Sequence, residues 1–322
     1  MPRAPWPALV VTALLLTTAC AQEGPAGAAP TASGTPTPPE APTGPVPPTT
    51  TGTPSAPSTP PSTPWGPAEG PVIEVAHTGG FATPELLASR LPLVSVHADG
   101  RVITPGPQIA VFPPPALPGL QVQHVDEDAV AVLVERALRA GVGGSDDLGS
   151  PPVADLPSTR FTVRAQDGTR VREVYALGAE SPHGPPDDTL TPEQRAARAA
   201  LQALVQELGD PASVLPEDAV GAQEVYVPEA VAGVVTAWQG PPDGPEPRPV
   251  PWPGPPLPGE PLEPRLGLSC VLAAGEQARA VMDAAAAADS LTPWVSEDGG
   301  RWSVALRPLL PHEQDCTDLL GW

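Results

Sequence analysis

The sequence contains no lysine: all sixteen basic residues are arginine, set against 37 acids for a net charge of −21. Nucleic acid is excluded as a partner, because a protein must bring cations to the phosphates to release their counterions. An anionic lipid surface is repelled for the same reason, so membrane attachment requires a covalent lipid or a buried segment rather than a basic patch. Long hydrophobic runs are also missing. Ala8 to Leu16 is only about nine residues, far short of the ~20 that span a bilayer. There is no G-x-S-x-G elbow, no glycine-rich phosphate loop, no H-E-x-x-H and no C-x-x-C, which removes the specific signatures of hydrolase, nucleotide, zinc-protease and redox chemistry and leaves no cofactor implied.

Cysteine is scarce as well, with Cys20, Cys270 and Cys316 alone. Arg3 and the amino terminus, the apolar run after them and the small residues up to Ala19 form a signal peptide over residues 1–19. Thr17-Thr18-Ala19-Cys20 resembles the lipobox of bacterial lipoproteins, with Thr17 where leucine is usual. That resemblance implies acylation of Cys20 and anchoring on the extracytoplasmic face of the cell membrane. Ala19-Cys20-Ala21 also fits an ordinary A-x-A cleavage site, which would make the protein secreted instead. If Cys20 is spent on the anchor, Cys270 and Cys316 are the only possible disulfide pair, in a compartment where disulfides persist.

What is abundant is proline and glycine, 52 and 31 residues, together about a quarter of the chain and close to the low-complexity level. Residues 20–70 are built from Pro, Thr, Ser, Ala and Gly. They offer no apolar surface to offset chain entropy and predict a disordered, lipid-anchored stalk. In polyproline II geometry ~50 residues reach up to ~150 Å.

Order is expected from about residue 71 as an α+β ectodomain over 71–238, made of antiparallel β-hairpins with helices packed on one face. Asp99-Gly100, Asp167-Gly168 and Asp298-Gly299 each divide two β-rich runs, the signal for a tight turn in which both central residues take positive φ. Thr83-Pro84-Glu85, Asp126 and Thr191-Pro192-Glu193 open helices; Val130, Val134 and Leu138 in one, and Leu201, Leu204, Val205 and Leu208 in another, form apolar stripes. Glu224 to Val227 and Val231 to Trp238 read as a strand pair. Residues 239–264 form a second proline-rich segment, a linker or a surface loop with Trp252 in a semi-rigid run. Residues 265–322 then make a disulfide-tied βαββ unit with a marginal core of its own. A bridge from Cys270 to Cys316 closes roughly 46 residues and contributes on the order of 4 kcal/mol in the chain-entropy account.

The candidate chemistry is thin. His77, His97, His124, His183 and His312 show no i, i+2 or i, i+4 metal pair, although His77 and His97 lie on strands that could be neighbours. Asp99, Asp167 and Asp298 are explained by their turns, and Asp146-Asp147 and Asp187-Asp188 as solvated loop acids, since no twelve-residue calcium loop surrounds them. Trp238, Trp294, Trp302 and Trp322 are expected in the core or as covers, with a sugar-stacking platform the alternative. No catalytic, cofactor or metal residue is assigned.

The lipobox-like Cys20, the Pro/Thr stalk, Gly79-Gly80-Phe81, Val94 to Ile103, Val174-Tyr175-Ala176-Leu177-Gly178 and Arg307-Pro308-Leu309-Leu310-Pro311 before Cys316 together resemble a group of uncharacterised actinobacterial lipoproteins. The resemblance implies location and architecture and carries no active residue. The expected function is a non-catalytic ectodomain that binds or presents an envelope protein, a glycan or a small ligand. An envelope-bound or secreted hydrolase with a site assembled from dispersed residues is the alternative.

Overall fold

The computed structural model describes residues 70–108, 110–179, 189–240 and 246–320. The signal peptide, Cys20 and the stalk lie outside them, as do His183, Asp187, Asp188 and Trp322. The described chain is α+β, and no helix in it is long and apolar enough to cross a membrane.

Among the described residues one sheet is antiparallel throughout. It contains β1 (Ile73–Thr78), β2 (Val94–Val96), β3 (Arg101–Pro105), β4 (Leu120–Val125), β5 (Ser158–Ala165), β6 (Gly168–Tyr175) and β7 (Val220–Val225), in the order β6-β5-β1-β2-β3-β4-β7. Strand alternation sends Ile73, Val75, Val94, Val96, Phe161 and Val163 to one face, where helices α2 (Glu127–Arg139) and α3 (Pro192–Gly209) cover them. α3 starts with a full capping box, Gln194 N–H donating to the Thr191 hydroxyl while the Gln194 side chain accepts from Thr191 N–H. Thr83 and Asp126 occupy the cap positions of α1 (Pro84–Ala88) and α2, but their side chains make no cap bond.

The second sheet holds β8 (Ala230–Ala237), β9 (Val250–Pro251), β10 (Glu260–Glu263), β11 (Leu268–Ala274), β12 (Trp294–Val295) and β13 (Arg301–Pro308), in the order β10-β11-β8-β13-β12-β9. Helix α4 (Gly275–Ala285) covers the face carrying Val231, Val235, Val271 and Leu306. On the opposite face Ala232, Val234, Leu268 and Cys270 meet Ala88, Leu309 and Leu319.

Three expectations are corrected here. Positive φ is held at Gly100 (+86°) and Gly299 (+85°) and at no aspartate beside them, and in the second hairpin the loop is Gln166-Asp167, with Gly168 (+130°) already in β6 opposite Ala165. In the first and third hairpins His97 N–H bonds Arg101 O and Ser296 N–H bonds Gly300 O, while Gly100 N–H and Gly299 N–H bond back to His97 O and Ser296 O. These are three-residue loops ending in a left-handed glycine, so the aspartate needs no positive φ. Second, the runs before and after Val227 do not pair with each other. β7 is solvated on both sides and forms the edge beyond β4, whereas β8 is apolar on both sides and must lie centrally between β11 and β13.

Third, the described part of the second proline-rich segment, residues 246–264, is neither linker nor plain loop. The segment supplies β9 and β10, the two edges of the second sheet, which is where strands containing Pro251 and Pro261 can sit without a missing donor breaking the ladder. Trp252 is buried there, edge-on to Trp294 at 5.3 Å, its indole N–H donating to Pro255 O. The second sheet therefore begins at Ala230, not after residue 264.

Candidate functional site

The face of the first sheet away from α2 and α3 is polar along β1 and β5 and apolar on β3 and β4, where Ile103, Leu120 and Val122 lie. On β1 the alternation that sends Ile73 and Val75 to the helices sends Glu74 to the other side, in register with Ser95 of β2 and Thr162 of β5. Arg160 follows two residues along β5 and pairs with Glu173 across the strand at 3.1 Å.

This face is closed by the C-terminal segment, whose adjacent residues look in opposite directions. Leu309 packs on Ala232 and Val234 of the second sheet, and Leu310 on Ile103, Leu120 and Val122 of the first. The segment is held by a buried ion pair in which both side chains are only 6% exposed. Arg307 donates two bonds of 2.6 Å to Glu313 and a third to Arg90 O, while Glu313 also accepts from Leu310 N–H at 2.7 Å. Tyr226, between β7 and β8, donates its hydroxyl to Leu309 O at 2.9 Å, and burial pushes that phenol up to about 12. Cys270 and Cys316 are disulfide-bonded with Cα atoms 6.2 Å apart, joining the segment to β11.

Beneath the segment, Ser95 Oγ lies 3.0 Å from His97 Nε2, and the His97 ring faces that of His312 at 5.6 Å. Burial, with His312 and Arg101 nearby, takes His97 down to about 4; burial also lowers His312. Both rings are therefore neutral at neutral pH. Ser95 and His97 are 0% and 2% exposed, so nothing in solvent can reach this serine–histidine pair.

Two cavities border the segment, and Glu313 lines both. The larger, about 880 Å³, lies between Tyr226, Glu229, α4 with Arg279, and Leu310. The smaller, about 170 Å³, lies under α1 and is walled by Glu74, His77, Arg90, Arg160 and Arg307. Burial first, then the nearby Glu313 carboxylate, raises Glu74 above the ordinary range.

Of the expected residues, His77 and His97 are not brought together. β1 and β2 run antiparallel with Ile73 opposite Val96, which leaves the two histidines about five residue steps, roughly 16 Å, apart along the strands. His77 lies within 3.5 Å of Thr159 Oγ1, and burial and Arg90 lower it. Asp99, Asp167 and Asp298 serve their turns, accepting from Arg101 N–H, from the Arg170 side chain and from Gly300 N–H respectively. Asp147 accepts from Gly149 N–H and the Gln194 side chain. No metal-holding cluster occurs among the described residues. Among the described residues Trp294 is buried and Trp238 and Trp302 are half-buried.

Sequence reasoning missed Glu74, Arg90, Arg307 and Glu313. A signal existed for two of them: Glu74 is an acid inside Val72-Ile73-Glu74-Val75, and Arg307 a lone cation inside Ala305-Leu306-Arg307-Pro308-Leu309. A charge amid apolar strand residues marks a buried partner. Arg198 of α3 is a third case, 1% exposed and donating to Tyr175 O and Ala176 O.

Compared with known proteins, the chain matches no family model, no curated sequence and no solved structure.

Proposed function

We propose that the chain is a cell-envelope lipoprotein, anchored through a lipid on Cys20 at the extracytoplasmic face, whose α+β ectodomain binds a ligand or partner rather than transforming it. The anchor rests on the lipobox-like residues and on the similarity to actinobacterial lipoproteins noted above; a protein cleaved after Ala21 would be secreted. The binding reading is carried by one observation. The Arg307–Glu313 pair between the two sheets is spent on holding the C-terminal segment, while the cavities on either side of it are open. The buried Ser95–His97 pair faces neither cavity's contents.

The hydrolase reading is favoured by two carboxyls on the wall of one cavity, Glu74, raised by burial, and Glu313, which accepts two bonds from Arg307. Two carboxyls in unlike surroundings, one without a cation bonded to it and one gripped by a guanidinium, are the arrangement sought in an acid and a base. One experiment separates the two. Immobilised full chain is exposed to envelope extract, and what it retains is eluted and weighed by mass spectrometry. A component retained at unchanged mass, and less by Arg279→Glu, supports binding in the larger cavity. Recovery of cleaved material, abolished in Glu74→Gln, replaces the binder with the hydrolase.

A further inference from the structure

The smaller cavity has an unusual balance of charge. Arg160 is paired with Glu173, Arg307 with Glu313, and Asp318 at the rim accepts from Gln314 and Asp315 N–H. His77 and His312 are held neutral by burial. Asp318 keeps its charge but is bonded by those amides, and two charged side chains remain without an ion-pair partner. The Glu74 carboxyl has no hydrogen bond or ion pair among the described residues, although it is mostly buried. Arg90, half-buried, has no carboxylate partner; Nη1 donates to His77 O and Gly79 O, leaving Nε and Nη2 uncommitted among the described residues. These two opposite charges line one cavity and do not bond each other.

An unpaired charge in a partly buried wall is costly, and two of opposite sign held apart are compensated together by a molecule that carries both. The volume of about 170 Å³ holds on the order of five waters at ~30 Å³ each, the scale of a small amino acid and far below a peptide. We propose that this cavity is a binding site for a small zwitterionic amino acid, its ammonium group on Glu74 and its carboxylate on the free edge of Arg90. A guanidinium offers a carboxylate two parallel N–H donors, and a carboxylate accepts an ammonium in a charge-assisted bond, so both ends of the ligand are recognised by strong contacts. The inference rests on the reading of the ectodomain as a binder and names the ligand class for one of its cavities.

The test is calorimetric titration of the full chain in detergent with glycine, β-alanine and γ-aminobutyrate, whose charges are progressively further apart, and with propylammonium and propionate as single-charge controls. One zwitterion should bind at least roughly tenfold tighter than either control, the effect of one extra charge-assisted contact. Arg90→Gln should lower that affinity to the level of propylammonium, and Glu74→Gln to the level of propionate. For wild type, zwitterion affinity should rise with pH as Glu74 ionises, a readout that needs no variant to fold. The site is refuted if no zwitterion binds, if a single-charge control binds as tightly as all three, or if affinity is independent of pH. Retention of an envelope component in the earlier experiment, with no zwitterion binding here, removes this site and leaves the binder standing. Binding followed by consumption of the amino acid removes the binder and leaves the site.

Discussion

Gly100 sits where the first hairpin turns under β4. Its φ of +86° is in the left-handed region, and a Cβ built on it would lie 2.1 Å from Val125 O. Gly100→Ala therefore combines backbone strain with a clash against backbone that cannot swing away, and should cost about 2–3 kcal/mol in denaturant unfolding. A change within ~0.5 kcal/mol would mean that the turn relaxes. The Arg307–Glu313 pair carries a larger penalty if only one partner goes. Glu313→Gln leaves a buried guanidinium short of its counter-charge and should destabilise by about 3–5 kcal/mol, whereas Arg307→Met with Glu313→Gln should cost less than the two single changes added together. Strict additivity in that double-mutant cycle would show that the two groups do not act as a pair.

Among the elements, the C-terminal segment from Leu309 to Leu320 depends most on one link. It has a single short turn of helix, Cys316–Leu320, and reaches β11 through Cys270–Cys316. With the two cysteines 46 positions apart in the chain, reduction should release about 4 kcal/mol of unfolded-state constraint. The unfolding midpoint should drop, and amide exchange should quicken first at Leu309, Leu310 and Leu319, before the central strands β8 and β13. Equal quickening across both sheets would show that the disulfide acts globally, not through this segment. β8 illustrates what the centre of a sheet demands: Gly233 has Val304 Cγ1 2.8 Å and Val271 Cγ2 3.1 Å from where its Cβ would be, so the strand packs by omitting a side chain.

At the scale of the molecule, the buried polar layer makes stability depend on pH in two opposite ways. His97 titrates near 6.5 when unfolded and about 4 when folded, and His312 is lowered too, both chiefly by burial. The His97 contribution is present above pH 6.5 and is lost as pH falls towards 4, because the unfolded chain takes up protons that the folded one refuses, and that of His312 is lost in the same direction. For His97 alone that is about 3 kcal/mol. Glu74 runs the other way: raised when folded, its contribution is complete below its ordinary 4.5 and is lost as pH rises through the folded value. The unfolding midpoint should fall from neutral pH towards about pH 4, less steeply in His97→Gln. Glu74→Gln should be at least as stable as wild type at neutral pH, since it removes a desolvated charge. An unchanged slope in His97→Gln, or a strongly destabilised Glu74→Gln, would overturn this account of the layer.

Local chemistry was legible from the sequence wherever it is local. The Asp-Gly hairpins, the apolar stripe and capping of α3 and the α+β class follow from periods of two and 3.6 residues and from glycine at the turns, with the φ of the aspartates and the position of the second loop, one residue earlier, misjudged. Burial was legible in part: Glu74 and Arg307 stand out as charges inside apolar strands, but nothing near them in the chain names their neighbours. Tertiary structure decided the rest. Proline-rich chain became the two edges of a sheet because an edge is where a missing donor does no harm, and β7 and β8 parted because one could be solvated and the other could not. Glu74, Arg90, Arg160, Arg307 and Glu313 come from β1, the turn after α1, β5, β13 and the C-terminal segment. Periodicity states which face of a strand each side chain occupies; which faces then meet depends on the burial of both sheets at once, a property of the assembled molecule that no single stretch of sequence contains.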